Sequence, residues 1–243
     1  METTNNPIMP FPTSHKATEG TSRIECFSDG VFAIAITLLV LDIHVPVVKG
    51  NESMLKALAA NWQVYLAFLI GFFTLLVCWI NHHYMFELIC KRNDVLLLLN
   101  GFKLLVVSFT PFATALLADY IATPNQQIPI SIYGFNFFLM GTAMTSLWLY
   151  ANKKGLTKAD SPGILKATTK FFVFASILSG VIFLISFISI PVSLVLFGIM
   201  FLIFVFPKDR VNRLVEFEKR KNGNLYHTII ETISPAEEEV IAQ

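Results

Sequence analysis

Three polar residues, Arg23, Ser28 and Asp29, lead into the apolar run "VFAIAITLLVL", and Asp42 and His44 close it, with Thr37 alone in its middle. Carboxylates and a hydroxyl in that arrangement can steer a cation, relay a proton, or hydrogen-bond to neighbouring helices. Asn81, His82 and His83 form a second polar group, and Asn100 and Lys103 a third. Adjacent histidines on a helix point about 100° apart, so His82 and His83 make a poor chelating pair and no resident metal site is expected. The chain lacks HExxH, GxSxG and a Gly-rich phosphate loop, so the residues do not support an enzyme, and no cofactor is implied. The TVGYG carbonyl filter of common potassium channels is also missing.

The elements that must position these residues are membrane spans. The chain has 243 residues, of which 54% are hydrophobic and only 14% charged, against about 25% charged in soluble domains. Its mean hydropathy is +0.62. A bilayer core about 30 Å thick needs roughly 20 mostly apolar helical residues. Six segments meet or approach that length: 24–46, 62–90, 94–122, 129–151, 168–190 and 192–207. The expected fold is therefore all-α and integral to the membrane. Its parts are a flexible N-terminal tail (1–22), a six-span domain (23–207) and a C-terminal tail (208–243). Lysine and arginine concentrate before the first span, between the second and third, between the fourth and fifth, and after the sixth. By the positive-inside rule both termini are cytoplasmic. Asn51-Glu52-Ser53 matches a glycosylation acceptor on the opposite side. The net charge of +1 and the lack of an aromatic–basic patch give no reason to expect nucleic acid. Cys26, Cys78 and Cys90 have no CxxC spacing and read as small apolar fillers.

Only eleven residues separate Gly30 from Asp42, about 16 Å of helix and half the hydrocarbon thickness. A helix crossing here brings some of Ser28, Asp29, Asp42 and His44 towards the membrane interior, where such groups face protein or water. Ser28 or Asp29 can instead cap the helix. Ile34, Thr37, Leu38 and Leu41 follow i, i+3, i+4, i+7 spacing and share one face, which serves either packing or a pathway. Thr37 can bond back to the carbonyl of Ala33 or face outward. Asn81, His82 and Asn100 sit at a depth that lets them join Arg23, Ser28 and Asp29 in a polar belt. That belt reads equally as interhelical glue and as part of conduction or gating.

The run "RIECFSDG" followed by "VFAIAITLLVLDI" closely resembles the R-x-x-x-F-S-D signature of the transmembrane protein 175 family, potassium channels that lack a carbonyl filter. Arg23, Phe27, Ser28 and Asp29 carry the motif. With one motif and one set of six spans, the chain is similar to prokaryotic members, and the resemblance implies a homotetramer in a cell membrane. It implies that the first helix lines a central pore, with Ile34 at a constriction, Leu38 and Leu41 beyond it, and Thr37 offering a hydroxyl to a passing potassium ion. The resulting expectation is a potassium-over-sodium leak channel with a hydrophobic gate. A proton-coupled secondary transporter relaying through Asp29, His82 or Asp42 is the alternative, and a purely structural membrane subunit is a third reading.

Overall fold

The computed structural model describes residues 18–48, 50, 53–158 and 162–217. The expected tails lie mostly outside the described residues, as do Asn51 and Glu52 of the glycosylation acceptor. The described chain runs β1 (Thr18–Glu19), α1 (Ser22–Leu38) tightening into a 3-10 turn (Leu39–Asp42), α2 (Met54–Ala60), α3 (Trp62–Leu88), β2 (Lys91–Arg92), α4 (Asp94–Tyr120), α5 (Gln127–Lys153), α6 (Pro162–Ser186) and α7 (Ile190–Phe204). A last helix, α8 (Pro207–Phe217), bends away from α7 by 75°.

Five helices among the described residues are long and apolar enough to cross a membrane, and α7 with α8 is a sixth candidate if the bent pair counts as one span. The protein is a multi-pass membrane protein of all-α class. The break after α7 follows from Pro207, which has no N–H to donate and disfavours helical geometry at the residue before it. Helix α7 alone has 15 residues, about 22 Å, so this span is short for a bilayer. The fifth span begins earlier than its apolar run, at Pro162 rather than 168, because the proline suits a first helical turn.

Helix α1 starts at Ser22 with Thr21 as its N-cap residue. Ser28 and Asp29 therefore lie in its second turn and cap nothing, which corrects the capping expectation. With its 3-10 extension the element spans 21 residues, about 33 Å, and matches the hydrocarbon thickness. Asp42 ends it, while Ser28 and Asp29 sit about 10 Å inside the opposite end.

Packing proceeds largely in chain order: α1 lies against α3 and α4, α4 against α3 and α5, and α6 between α5 and α7. Gly71 allows α3 to approach α4 and the 3-10 turn, since a Cβ there would meet the Thr114 side chain at 2.7 Å and Leu39 at 3.1 Å. The main core holds Phe32, Leu39, Leu75, Met85, Leu147 and Trp148.

The helix ends rich in lysine and arginine, here called the basic end, carry a backbone clamp. β1 pairs antiparallel with β2, Thr18 opposite Arg92 and Glu19 opposite Lys91. Gly20, at φ +89°, turns the chain from that strand into α1 and donates its N–H to Cys90 O. Cys90 N and Lys91 N both donate to Leu156 O, and Lys158 N donates to Leu88 O. The segment before α1 is thus tied by main chain to the α3–α4 loop, which is tied in turn to the α5–α6 loop. The hydrophobic pattern gave no hint of these two-residue strands.

Candidate functional site

The polar residues of α1 face two directions. Ser28 is buried, donates its hydroxyl to Ile24 O and accepts a 3.1 Å hydrogen bond from Asn100 Nδ2 on α4. Asp29 is exposed, and its Oδ1 accepts a 2.8 Å bond from the Trp79 indole on α3. Of the residues expected to form one belt, only Ser28 and Asn100 bond to each other, while Asp29 bonds to Trp79, which the residue types had not nominated. An indole N–H inside a membrane needs an acceptor, and that requirement at the depth of Asp29 was the available signal.

His82 is buried beside Lys103, its Nδ1 2.6 Å from the Lys103 amine. Lys103 is 0% exposed, and its amine also lies over the rings of Phe32 at 5.5 Å and Phe86 at 5.9 Å. Two ring faces and an imidazole accommodate an ammonium that has no water around it. Asn81 points elsewhere: its Nδ2 donates to Val77 O and to Phe204 O, the latter at the end of α7. Phe204 O is an orphan carbonyl of a helix broken by Pro207, and Asn81 satisfies it. Asn81 belongs to the α3–α7 contact rather than to the α1 belt. Arg23 and Phe27 are exposed.

The other side of α1 is bare in the single chain. Ile24, Ser28, Phe32 and Ala35 are buried against α3 and α4. Phe27 (66% exposed), Ile34 (62%), Leu38 (43%) and Leu41 (66%) face outward with Gly30 and Thr37. That strip runs about 21 Å. Thr37 Oγ1 donates to Ala33 O at 3.0 Å or Ile34 O at 2.9 Å while remaining exposed. A hydroxyl has one donor and two acceptor lone pairs, so donating backwards leaves oxygen density directed outward. Back-bonding and an outward-facing oxygen are compatible.

At the far end His44 Nδ1 lies 2.9 Å from Asp42 O. His83 is exposed and lies 3.9 Å from Glu87, which also pairs with Lys208 of α8 at 3.5 Å. The described residues contain no cluster of three or more metal-ligating side chains, and Cys26, Cys78 and Cys90 are free thiols.

Residues 23–111 match the family described as "Endosomal/lysosomal potassium channel TMEM175". A potassium channel of Chamaesiphon minutus is 40% identical over 197 residues, covering 79% of this chain and 95% of that protein. A potassium channel of Streptomyces collinus is 34% identical over 188 residues, covering 76% of this chain and 91% of that protein. The crystal structure of a lysosomal potassium-selective channel TMEM175 homolog from Chamaesiphon minutus superposes with a TM-score of 0.68 over 79% of this chain and 98% of that one.

Proposed function

The chain belongs to the transmembrane protein 175 family, and from that premise we propose that it is a potassium-selective, leak-type cation channel rather than an enzyme. Four copies assemble around a central axis, with α1 of each turned inward. The observation that carries this reading is the bare strip of α1. It is a row of Phe27 and aliphatic side chains with one hydroxyl, long enough to traverse most of a membrane, on a helix whose other face is buried.

In this arrangement Ile34 forms the narrowest ring, and Leu38 and Leu41 extend it towards the end carrying Asp42. A ring of branched aliphatic side chains closes a pathway by excluding water, and widening it by a small rotation of the helices lets a partly hydrated ion through. The Thr37 oxygens, one turn beyond Ile34, offer polar contact to an ion that has shed part of its shell. Asp29, about 10 Å inside the basic end, places a carboxylate where cations enter. Its bond from Trp79 and the Ser28–Asn100 bond fix the rotation of α1 about its own axis, which decides whether Ile34 points at the pathway. The Lys103–His82 pair lies behind α1 and away from the strip, which favours a structural role for it. Arg23, Phe27, Ser28 and Asp29 act as the motif that holds the entrance.

Lysine and arginine placement supports cytoplasmic termini, and similarity to the Chamaesiphon and Streptomyces channels supports a prokaryotic plasma membrane, with 23–207 as the channel domain. The test is a bi-ionic reversal potential, potassium against sodium, on purified protein in planar bilayers. Single-channel steps are expected, with a bi-ionic reversal potential displaced towards potassium; in a potassium gradient alone, with no proton or sodium gradient, the steps should reverse near the potassium equilibrium potential. Saturating, strictly gradient-coupled flux would sink the proposal in favour of a transporter working through Asp29 and His82.

A further inference from the structure

Helix α8 leaves α7 at 75°, so the chain turns there from crossing the membrane to running near its surface at the basic end. The rotation of α8 about its own axis is fixed. Val211 is fully buried, Val215 packs against the main core, and Lys208 reaches Glu87 of α3. At about 100° per residue, these anchors leave two flanks of different character. Arg210, Arg213, Leu214 and Phe217 fall within one sector of about 100°, and Asp209, Asn212 and Glu216 within another of about 60°. Leu214 and Phe217 are exposed, Phe217 by 67%. Among the described residues no carboxylate lies within ion-pair distance of Arg210 or Arg213, although Asp209 sits one turn before Arg213. The exposed apolar stripe of α7, Val192, Val195, Ile199, Leu202 and Phe206, ends at the residue before α8. Lipid that covers α7 therefore borders α8.

We propose that α8 is a membrane-surface helix that binds anionic phospholipid, with Arg210 and Arg213 on headgroup phosphates and Leu214 and Phe217 in the acyl boundary. Asp209, Asn212 and Glu216 then face water. Guanidinium groups beside apolar side chains, at the end of a span, match a layer that offers phosphate and hydrocarbon together. A choline headgroup carries a cation next to its phosphate and repels the guanidinium, whereas an anionic headgroup does not. The surface lies apart from the α1 strip and does not depend on ion conduction.

The experiment places the full-length protein carrying Phe217→Trp in nanodiscs with equal amounts of phosphatidylglycerol and phosphatidylcholine. In one preparation the phosphatidylglycerol chains are brominated, in the other the phosphatidylcholine chains, so the surface charge is the same in both. Wild-type protein in the same discs gives the signal of Trp62, Trp79 and Trp148 to subtract. The added tryptophan should be quenched at least twofold more strongly by brominated phosphatidylglycerol. Arg213→Gln should reduce that preference, and adding Arg210→Gln should abolish it while quenching itself persists. Arg210 Nε is buried, so if the double variant loses the helix, Arg213→Gln at its exposed position decides. The proposal is overturned by an added tryptophan that neither lipid quenches, as when water or a second copy covers the flank. Equal quenching by the two lipids with both arginines present overturns it too. So does a preference that Arg213→Gln leaves intact. None of these readouts requires ion flux, so they stand apart from the test of the channel.

Discussion

Thr37 shows why a hydroxyl in an apolar run cannot be classed as structural or functional by position. Its proton is held by the backbone and its oxygen is exposed, so it serves the helix and the strip together. Thr37→Ala is expected to lower the potassium-over-sodium permeability ratio while channels still open, read from the shift in bi-ionic reversal potential. Ile34→Asn, one turn nearer the basic end, should raise resting leak and reduce selectivity, because a ring of amides stays wet. A background current equal to wild type would remove Ile34 from the constriction. Behind the strip, His82→Leu leaves the Lys103 ammonium buried without its imidazole partner. The expected loss is about 1–3 kcal/mol of stability, seen as a lower melting temperature in detergent. Adding Lys103→Met should recover much of it, since an apolar pair of similar volume removes the uncompensated charge. The depth of Ser28 and Asn100 was readable by counting residues from the lysines and arginines, and the pair does bond. The direction of Asn81 was not readable, because its partner is a carbonyl exposed by a helix break 123 residues away.

At the scale of the element, spans two to four were legible because their apolar runs exceed the membrane thickness and end in polar residues. The ends of α1 and α6 were not. Ser22 to Ile24 and Pro162 to Ala167 mix polar and apolar residues, and tertiary contacts carry the helix outward through them. Close approach of helices is equally invisible in a single sequence. Gly71 reads as an ordinary intramembrane glycine until Thr114 is found against it. Gly71→Ala is expected to cost about 1–3 kcal/mol by overpacking, and Thr114→Ala in the same chain should return part of it. Circular-dichroism melts of the two variants in detergent decide this, and an unchanged midpoint for Gly71→Ala alone would remove the close approach as a constraint.

For the whole molecule, a strip of apolar side chains on α1 with nothing over it is a statement about copy number. Light scattering with the detergent contribution subtracted is expected to give four times the 27.3 kDa chain mass. A monomeric mass would leave the strip to lipid and end the pore reading. The clamp at the basic end has a mechanical consequence for such an assembly. With Gly20 tied to Cys90 by main chain, a tilting α1 would act as a lever with its fulcrum at its start. Ile34 lies about 18 Å and Leu41 about 28 Å along the arm. Any tilt about that fulcrum displaces Leu41 roughly one and a half times as far as Ile34. A tapered aperture, wider at the Asp42 end, is what such a lever produces when it swings.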